Sequence, residues 1–242
     1  MNTALAARIE LLARTLGRAT AEHSPAAFAS SLGAEDMVIA DIILTRKLDI
    51  EIFTLDTGRL HADTLQLITE IRERYGYDVR VVRPDPEAVA QYVLERGRNA
   101  FYESVELRKR CCEIRKVEPL RRALAGKACW ITGQRRDQSI TRAGLALQEH
   151  DGAHGLLKFN PLADWSESDV WQYIGRYGVP FNRLHEQGYR SIGCAPCTRP
   201  TVPGEDVRAG RWWWELRDTR ECGLHLGSDG RLVREKAAEP AA

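Results

Sequence analysis

The sequence has almost no excess of charge of either sign: 35 Lys and Arg stand against 34 Asp and Glu in 242 residues, a formal net charge of +1. A chain so balanced carries no field with which to attract nucleic acid or a membrane surface, so neither is expected as a partner and any anion site must be local. Long apolar runs are also missing. The opening stretch MNTALAARIELLARTLG is amphipathic and is interrupted by Arg8, Glu10 and Arg14, which excludes a signal-peptide core or a membrane span there. A cytoplasmic protein is expected. There is no internal repeat and no low-complexity linker, and with 43% hydrophobic residues the chain is too apolar to be disordered and long enough to bury a true core.

A chain of this size needs no disulfide staples, and a reducing cytoplasm disfavours them. The six cysteines are therefore better read as metal ligands, catalytic groups or core residues.

What is present is alternation. AAFASSLG reads as a strand broken at Gly33, followed by the helical EDMVIADIILTRKL. EIFTLDTG reads as a second strand, followed by LHADTLQLITEIRERYG with Leu60, Leu67, Ile68, Ile71 and Tyr75 at helical spacing. DVRVVRP makes a third strand and PEAVAQYVLERG a helix opened by Pro86. CCEIRKVEPLRRALAG reads as a further helix and KACWITG as a buried strand. Such alternation predicts an α/β fold, a parallel twisted sheet with helices on both faces. Ligands bind beyond the carboxyl ends of such strands, which places SLGAED, LDTGR and ITGQRRDQS on one rim. From about Gly144 the pattern loosens, apart from the helix SESDVWQYIGRYG with a capping box at Ser166 and Asp169. Beyond Gly188 the chain reads as irregular.

Cys194-Ala195-Pro196-Cys197 is a C-x-x-C, a spacing at which two thiolates reach one metal centre or form a redox dithiol. With the vicinal pair Cys111-Cys112 it makes four thiolates, the complement of a structural zinc or a cubane cluster; spacing leaves both metals open, as it does a reading of the pair as buried apolar residues. Cys129, inside ACWIT, fits a strand core. Cys222 lies in ECGLH, where Arg220 and a protonated His225 would favour the reactive thiolate. Gly33, Gly58 and Gly133 each follow a strand and suit the backbone approach of phosphate, and Arg208 and Arg211 offer guanidinium groups to phosphate or sulfate. The run Trp212 to Trp214 reads as packing, and His61, His150, His154 and His185 have no metal-ligand spacing among themselves.

In order and spacing, SSLGAEDMV, LDTGRLHADT, CCEIRK, TGQRRDQS, C-A-P-C and ECGLH resemble the cluster-containing branch of the assimilatory sulfonucleotide reductases, the adenylyl-sulfate reductases. The resemblance runs from about Ser30 to His225. It implies an adenine-nucleotide α-hydrolase-like fold of the ATP-pyrophosphatase type, with residues 1–205 as one nucleotide- and cluster-binding domain. Residues 206–242 become a C-terminal segment that carries the catalytic cysteine and ends in a mobile tail. It implies a 4Fe-4S cluster on Cys111, Cys112, Cys194 and Cys197, with Cys222 as nucleophile assisted by Lys116 and His225. Ser30, Gly33, Asp36, Thr57, Gly58, Arg59, Gly133 and Arg136 are implied as nucleotide contacts, and Arg208 and Arg211 as contacts to sulfate and phosphate. Leu32 stands where related pyrophosphatase loops often have a small residue, which favours a reductase. The implied reaction turns adenylyl sulfate into sulfite and AMP, with thioredoxin or a similar dithiol protein as reductant; the rivals are the 3'-phosphorylated substrate, dual use, and a zinc-bound module. Homo-oligomerisation is left open.

Overall fold

The computed structural model describes residues 3–139 and 142–216. After helix α1 (Thr3–Glu22), strand β1 (Ala26–Ser30), helix α2 (Ala34–Thr45), strand β2 (Ile50–Leu55), helix α3 (Ala62–Tyr75), strand β3 (Arg80–Val82) and helix α4 (Pro86–Arg96) follow in strict alternation. Helix α5 (Val105–Cys112), a π-helical turn (Glu113–Val117) and helix α6 (Glu118–Leu124) form one rod leading to strand β4 (Cys129–Ile131). Strands β5 (Gln148–Asp151) and β6 (Leu156–Phe159) and helix α7 (Glu167–Tyr177) complete the regular elements.

The sheet order is β3-β2-β1-β4-β6-β5, parallel throughout except for β5, which pairs antiparallel with β6 at the edge. Strand alternation feeds two cores. Ala26, Phe28, Ile50, Ile52, Cys129 and Ile131 face α1, α2, α3 and α7, whereas Ala27, Phe53 and Trp130 face Leu120, Ala123 and Leu124 of α6. Both faces are thus covered, as a parallel sheet requires. Helix α2 is buried nearly all round, and its Asp41 carboxylate accepts hydrogen bonds from Tyr75 (2.7 Å) and Tyr173 (2.6 Å), tying α3 and α7 to it.

Local signals explain the ends of the helices. Pro86 opens α4 behind an Asp85 cap, Ser166 and Asp169 form the expected capping box of α7, and left-handed Gly76 and Gly178 close α3 and α7. Two elements depart from expectation. The β5–β6 hairpin lies where the sequence pattern loosens, because β5 is a four-residue edge strand made only of polar side chains. The rod read as one helix from Cys111 starts earlier, at Val105, and widens to a π turn just before Pro119, which has no N–H to return to the Arg115 carbonyl.

The chain order reverses between β1 and β4, so the loops after these strands diverge and leave a crevice at the carboxyl edge. Among the described residues no helix is long and apolar enough to cross a membrane.

Candidate active site

The crevice holds a cavity of about 220 Å³. The loop after β1 contributes Ser30, Gly33 and Asp36, the loop after β2 contributes Thr57, and the loop after β4 contributes Thr132, Gly133 and Gln134. Lys116 of the π turn and Arg208 and Arg211 of the C-terminal stretch supply part of its positive charge. Ser30, Gly33, Asp36, Thr57, Lys116, Gly133, Arg208 and Arg211, all expected from the sequence, therefore line one cavity.

The loop after β1 is held by Asp36, whose Oδ2 accepts from Ser31 N (2.5 Å) and Ser31 Oγ (2.6 Å). Burial pushes the Asp36 carboxyl up to about 6, against the pull of those two hydrogen bonds. Leu32 is wholly buried at a φ of 61°, so this turn holds a left-handed leucine inside the core rather than an open glycine loop. Gly133 is required where it stands: a Cβ there would collide with the Asp36 carboxylate.

A second, smaller cavity adjoins the first, and Lys116 lines both. Cys111, Cys112, Cys194 and Cys197 all face it, with Arg59, Arg108, Arg115 and Trp212 around them. The two neighbours on α5 reach the same space although successive helical residues point about 100° apart, because the cavity sits over the helix end, where the π turn begins. The C-x-x-C is a short 3-10 turn fixed at both sides: Ala195 N donates to Arg59 O (2.7 Å) and Trp212 N donates to Cys197 O (3.1 Å). Thr57 Oγ1 lies 3.2 Å from Cys194 Sγ. Burial raises the Cys111 thiol, and burial together with the nearby Cys194 pushes Cys197 up to about 12. Thiols so placed ionise readily only when a cation joins them.

Gly58 takes a φ of 69° in the loop after β2, beside the Arg115 guanidinium, which donates to Thr57 O (2.7 Å). Arg59 turns away from the larger cavity and donates to Arg98 O and Asn99 Oδ1. Arg136 also lies off that cavity, where its guanidinium binds Leu145 O (2.7 Å) and pairs with Asp164. Its neighbour Arg135 is the buried one, paired with Glu35 at 2.8 Å. Cys222 and His225 lie outside the described residues. Cys129 is in the sheet core, with Sγ 3.8 Å from Ala19 O.

Sequence reasoning missed Gln134, Gln138, Arg142, His185 and Arg190, all on the larger cavity. His185 is the informative one: its Nε2 and Gln134 Oε1 are buried without a hydrogen-bond partner, and burial lowers the imidazole's proton affinity, so a neutral ring faces the cavity. Trp212 has the same property at the cysteine cavity, with an unpartnered Nε1. Its ring lies between the guanidinium groups of Arg108 (4.8 Å) and Arg211 (4.7 Å). Buried polar atoms without partners are rare and point to a missing ligand.

Comparison with known proteins agrees with this geometry. Residues 25–200 match the family model for the phosphoadenosine phosphosulfate reductase domain. The chain is 59% identical over 222 residues to an adenosine 5'-phosphosulfate reductase of Burkholderia cepacia, covering 92% of this chain and 89% of the relative. It is 55% identical over 236 residues to one of Allochromatium vinosum, covering 98% and 90%. Among solved structures, phosphoadenylyl-sulfate reductase from Candida auris in its phosphate complex superposes with a TM-score of 0.67 at 24% identity, covering 82% of this chain and 98% of the other. Candida glabrata FMN adenylyltransferase with ATP gives 0.58 at 14% identity, covering 90% and 75%. At those identities the two structures speak to the fold alone, and they agree with the parallel α/β sheet predicted from the strand–helix alternation and with the adenine-nucleotide α-hydrolase type implied by the resemblance. With a family model spanning most of the sheet and relatives this similar along nearly their whole length, the chain belongs to the phosphoadenosine phosphosulfate reductase family.

Proposed function

We propose that this chain is an assimilatory adenylyl-sulfate reductase, which converts adenylyl sulfate to sulfite and AMP in the cytoplasm. The observation that carries the reading is Lys116, which lines both the crevice cavity and the cysteine cavity and so joins a nucleotide-sized site to a four-thiol site. Both relatives described above carry the name adenosine 5'-phosphosulfate reductase.

The cysteine cavity fits a 4Fe-4S cluster on Cys111, Cys112, Cys194 and Cys197. A single zinc draws its thiolates to about 2.3 Å, so they converge on one point. A cubane instead needs four thiolates set around a volume, as these are set around the small cavity. The unpartnered Trp212 Nε1 suits a sulfur acceptor there. When bound, the cluster supplies a fixed structural and electrostatic centre and no electrons.

In the proposed reaction the Cys222 thiolate attacks the sulfate sulfur. The bond from sulfur to the bridging oxygen breaks, AMP leaves with that electron pair, and a cysteine S-sulfonate remains. Lys116, Arg208 and Arg211, with His225, gather the sulfuryl oxygens and spread the charge of the transition state. Ser30, Gly33, Thr57 and Gly133 admit the nucleotide, and neutral His185 and Gln134 offer it polar contacts. A thiolate of thioredoxin or a similar dithiol protein then attacks Cys222 Sγ and releases sulfite. Its second thiol resolves the mixed disulfide, so the two electrons that reduce the sulfur come from that dithiol. Residues 1–205 act as the binding domain and 206–242 as the segment that presents the nucleophile.

The family model's name favours the 3'-phosphorylated substrate as a second reading. The test is anaerobic incubation with each nucleotide, followed by peptide mass spectrometry. Adenylyl sulfate is expected to add one sulfonate to the Cys222 peptide; absence of that adduct, or an adduct only from the 3'-phosphorylated nucleotide, overturns the proposal.

A further inference from the structure

The β5–β6 hairpin lies at the edge of the sheet, yet it carries a buried polar cluster that reaches the crevice. At its turn, Asp151 Oδ2 accepts from the indole Nε1 of Trp130 (3.0 Å) and lies 2.9 Å from His154 Nδ1. Asp151 Oδ1 accepts from Ala153 N (3.0 Å), and the Asp151 carbonyl accepts from Gly155 N (2.8 Å), so the turn closes on Asp151 and brings His154 against the indole. The His154 ring meets Trp130 edge-on at 5.7 Å between centroids, and the Lys158 ammonium, paired with Glu149, stands 5.7 Å from the centre of the same indole. Asp151, Trp130 and Lys158 are all buried. Burial opposes charge on Asp151, but the hydrogen bonds from His154 and Ala153 hold its carboxyl below the ordinary range, so it is an anion at neutral pH.

Trp130 belongs to β4, and it is also part of the crevice. With Ala29, Phe53, Leu55 and Leu120 it makes an apolar wall of the larger cavity, on the face of the sheet that packs against α6. An indole has one polar hydrogen and no acceptor. Here that hydrogen is given to Asp151, so what Trp130 offers the cavity is aromatic carbon. A ring fixed through its N–H is a surface on which a flat heterocycle packs without any hydrogen-bond readout. A second tie joins the hairpin to the crevice: Thr132, also on the cavity, donates to Asn160 Oδ1 (2.6 Å), and Asn160 Nδ2 donates to Glu149 Oε1 (3.1 Å).

We propose that Asp151 and His154 are a positioning pair for nucleotide binding: they fix the Trp130 ring as the aromatic wall against which the nucleobase packs. The inference rests on the reading of the crevice as a nucleotide site. Neither Asp151 nor His154 lines the cavity, so the pair acts through Trp130.

The test uses the anaerobic full chain and two probes, AMP and ribose 5-phosphate, the second of which keeps the sugar and phosphate and lacks the base. Calorimetry gives a Kd for each, with the sugar phosphate titrated to high concentration. Asp151→Ala removes the acceptor; AMP affinity is expected to fall about fivefold or more while ribose 5-phosphate affinity stays within twofold of the parent. His154→Phe keeps a ring against the indole and loses the hydrogen bond to Asp151, and is expected to weaken AMP binding about threefold. Asp151→Asn keeps an acceptor for the indole and is expected to stay within twofold; a loss there as large as in Asp151→Ala overturns the proposal. So does an unaltered AMP affinity in Asp151→Ala or His154→Phe, or an equal loss for both probes, which a merely structural pair would produce. Indole N–H NMR spectra of the parent supply a second measurement: AMP is expected to shift the Trp130 signal and ribose 5-phosphate to leave it in place. Should Asp151→Ala not fold, these spectra decide, and a Trp130 signal that AMP leaves unmoved overturns the proposal. A parent chain that binds no AMP sinks the nucleotide reading and the inference with it, whereas a parent that binds AMP as tightly as its variants do sinks the inference alone.

Discussion

Thr57 and Cys194, 137 positions apart, meet through a hydroxyl–sulfur contact of 3.2 Å. Thr57 lines the crevice cavity and Cys194, which opens the C-x-x-C, lines the cysteine cavity, so the contact joins the two. The Thr57 carbonyl also receives Arg115. Hydrogen bonds to a ligating sulfur tune a cluster and shield it. Thr57→Val keeps the shape and deletes the hydroxyl, and is expected to speed bleaching of the visible absorbance in air several-fold. Thr57→Ser is expected to stay within twofold of the parent.

Gly133 and Asp36 make a second close approach, between the loop after β4 and the start of α2. A methyl at 133 has no space beside the Asp36 carboxylate. Gly133→Ala therefore has to displace Asp36 and the Ser31 turn that it holds. We expect AMP binding by calorimetry to weaken at least tenfold while the visible absorbance of the proposed cluster is retained, since Gly133 and Asp36 line the crevice cavity and not the cysteine cavity.

Asp36 also predicts a pH dependence. Its carboxyl is raised from 3.8 to about 6 by burial, so between those values the folded state binds a proton that the unfolded state has released. Stability then falls as pH rises through this window and levels off above it. Relative to Asp36→Asn, which cannot ionise, the parent should lose on the order of 3 kcal/mol of unfolding free energy between pH 4 and pH 7. Urea titrations of both proteins at several pH values check this, and parallel stability curves would refute it.

The alternation of strand and helix was legible because it is local: periodicity, Pro86 at a helix start and the Ser166 box each act within a few residues. The carboxyl-edge rim followed from topology, and eight of the expected contacts do line one cavity. What sequence could not show depends on direction in space. Arg135 and Arg136 are indistinguishable as text, yet the 3-10 turn that follows sends the first inward to Glu35 and the second out to Asp164. His185 lies in a stretch with no periodicity, and Arg108 became buried only through Glu215, 107 positions later. For the vicinal cysteines, the signal for a widened helix was present in Pro119, and its meaning required the π turn to be seen.

Cys129 supplies the control that separates core sulfur from functional sulfur. It is fully buried in β4, and burial pushes its thiol up to about 11, so the nucleophilic thiolate is scarce at neutral pH. Cys129→Ala is expected to leave visible absorbance and S-sulfonation unchanged and to lower stability by about 1 kcal/mol through the small cavity it opens. Alanine at Cys111, Cys112, Cys194 or Cys197 should instead abolish the absorbance, because each removes one of four thiolates facing a common space. The pH response of Cys129 has a definite sign. Its raised thiol keeps the proton in the folded state while the unfolded chain loses it near pH 9, so its contribution is complete below that pH and is lost as pH rises toward 11. Iodoacetamide labelling of the native chain at pH 8, read by peptide mass spectrometry, should therefore find Cys222 and pass over Cys129. Labelling of Cys129 at a comparable rate would mean that β4 opens far more often than a central strand of a doubly covered sheet should.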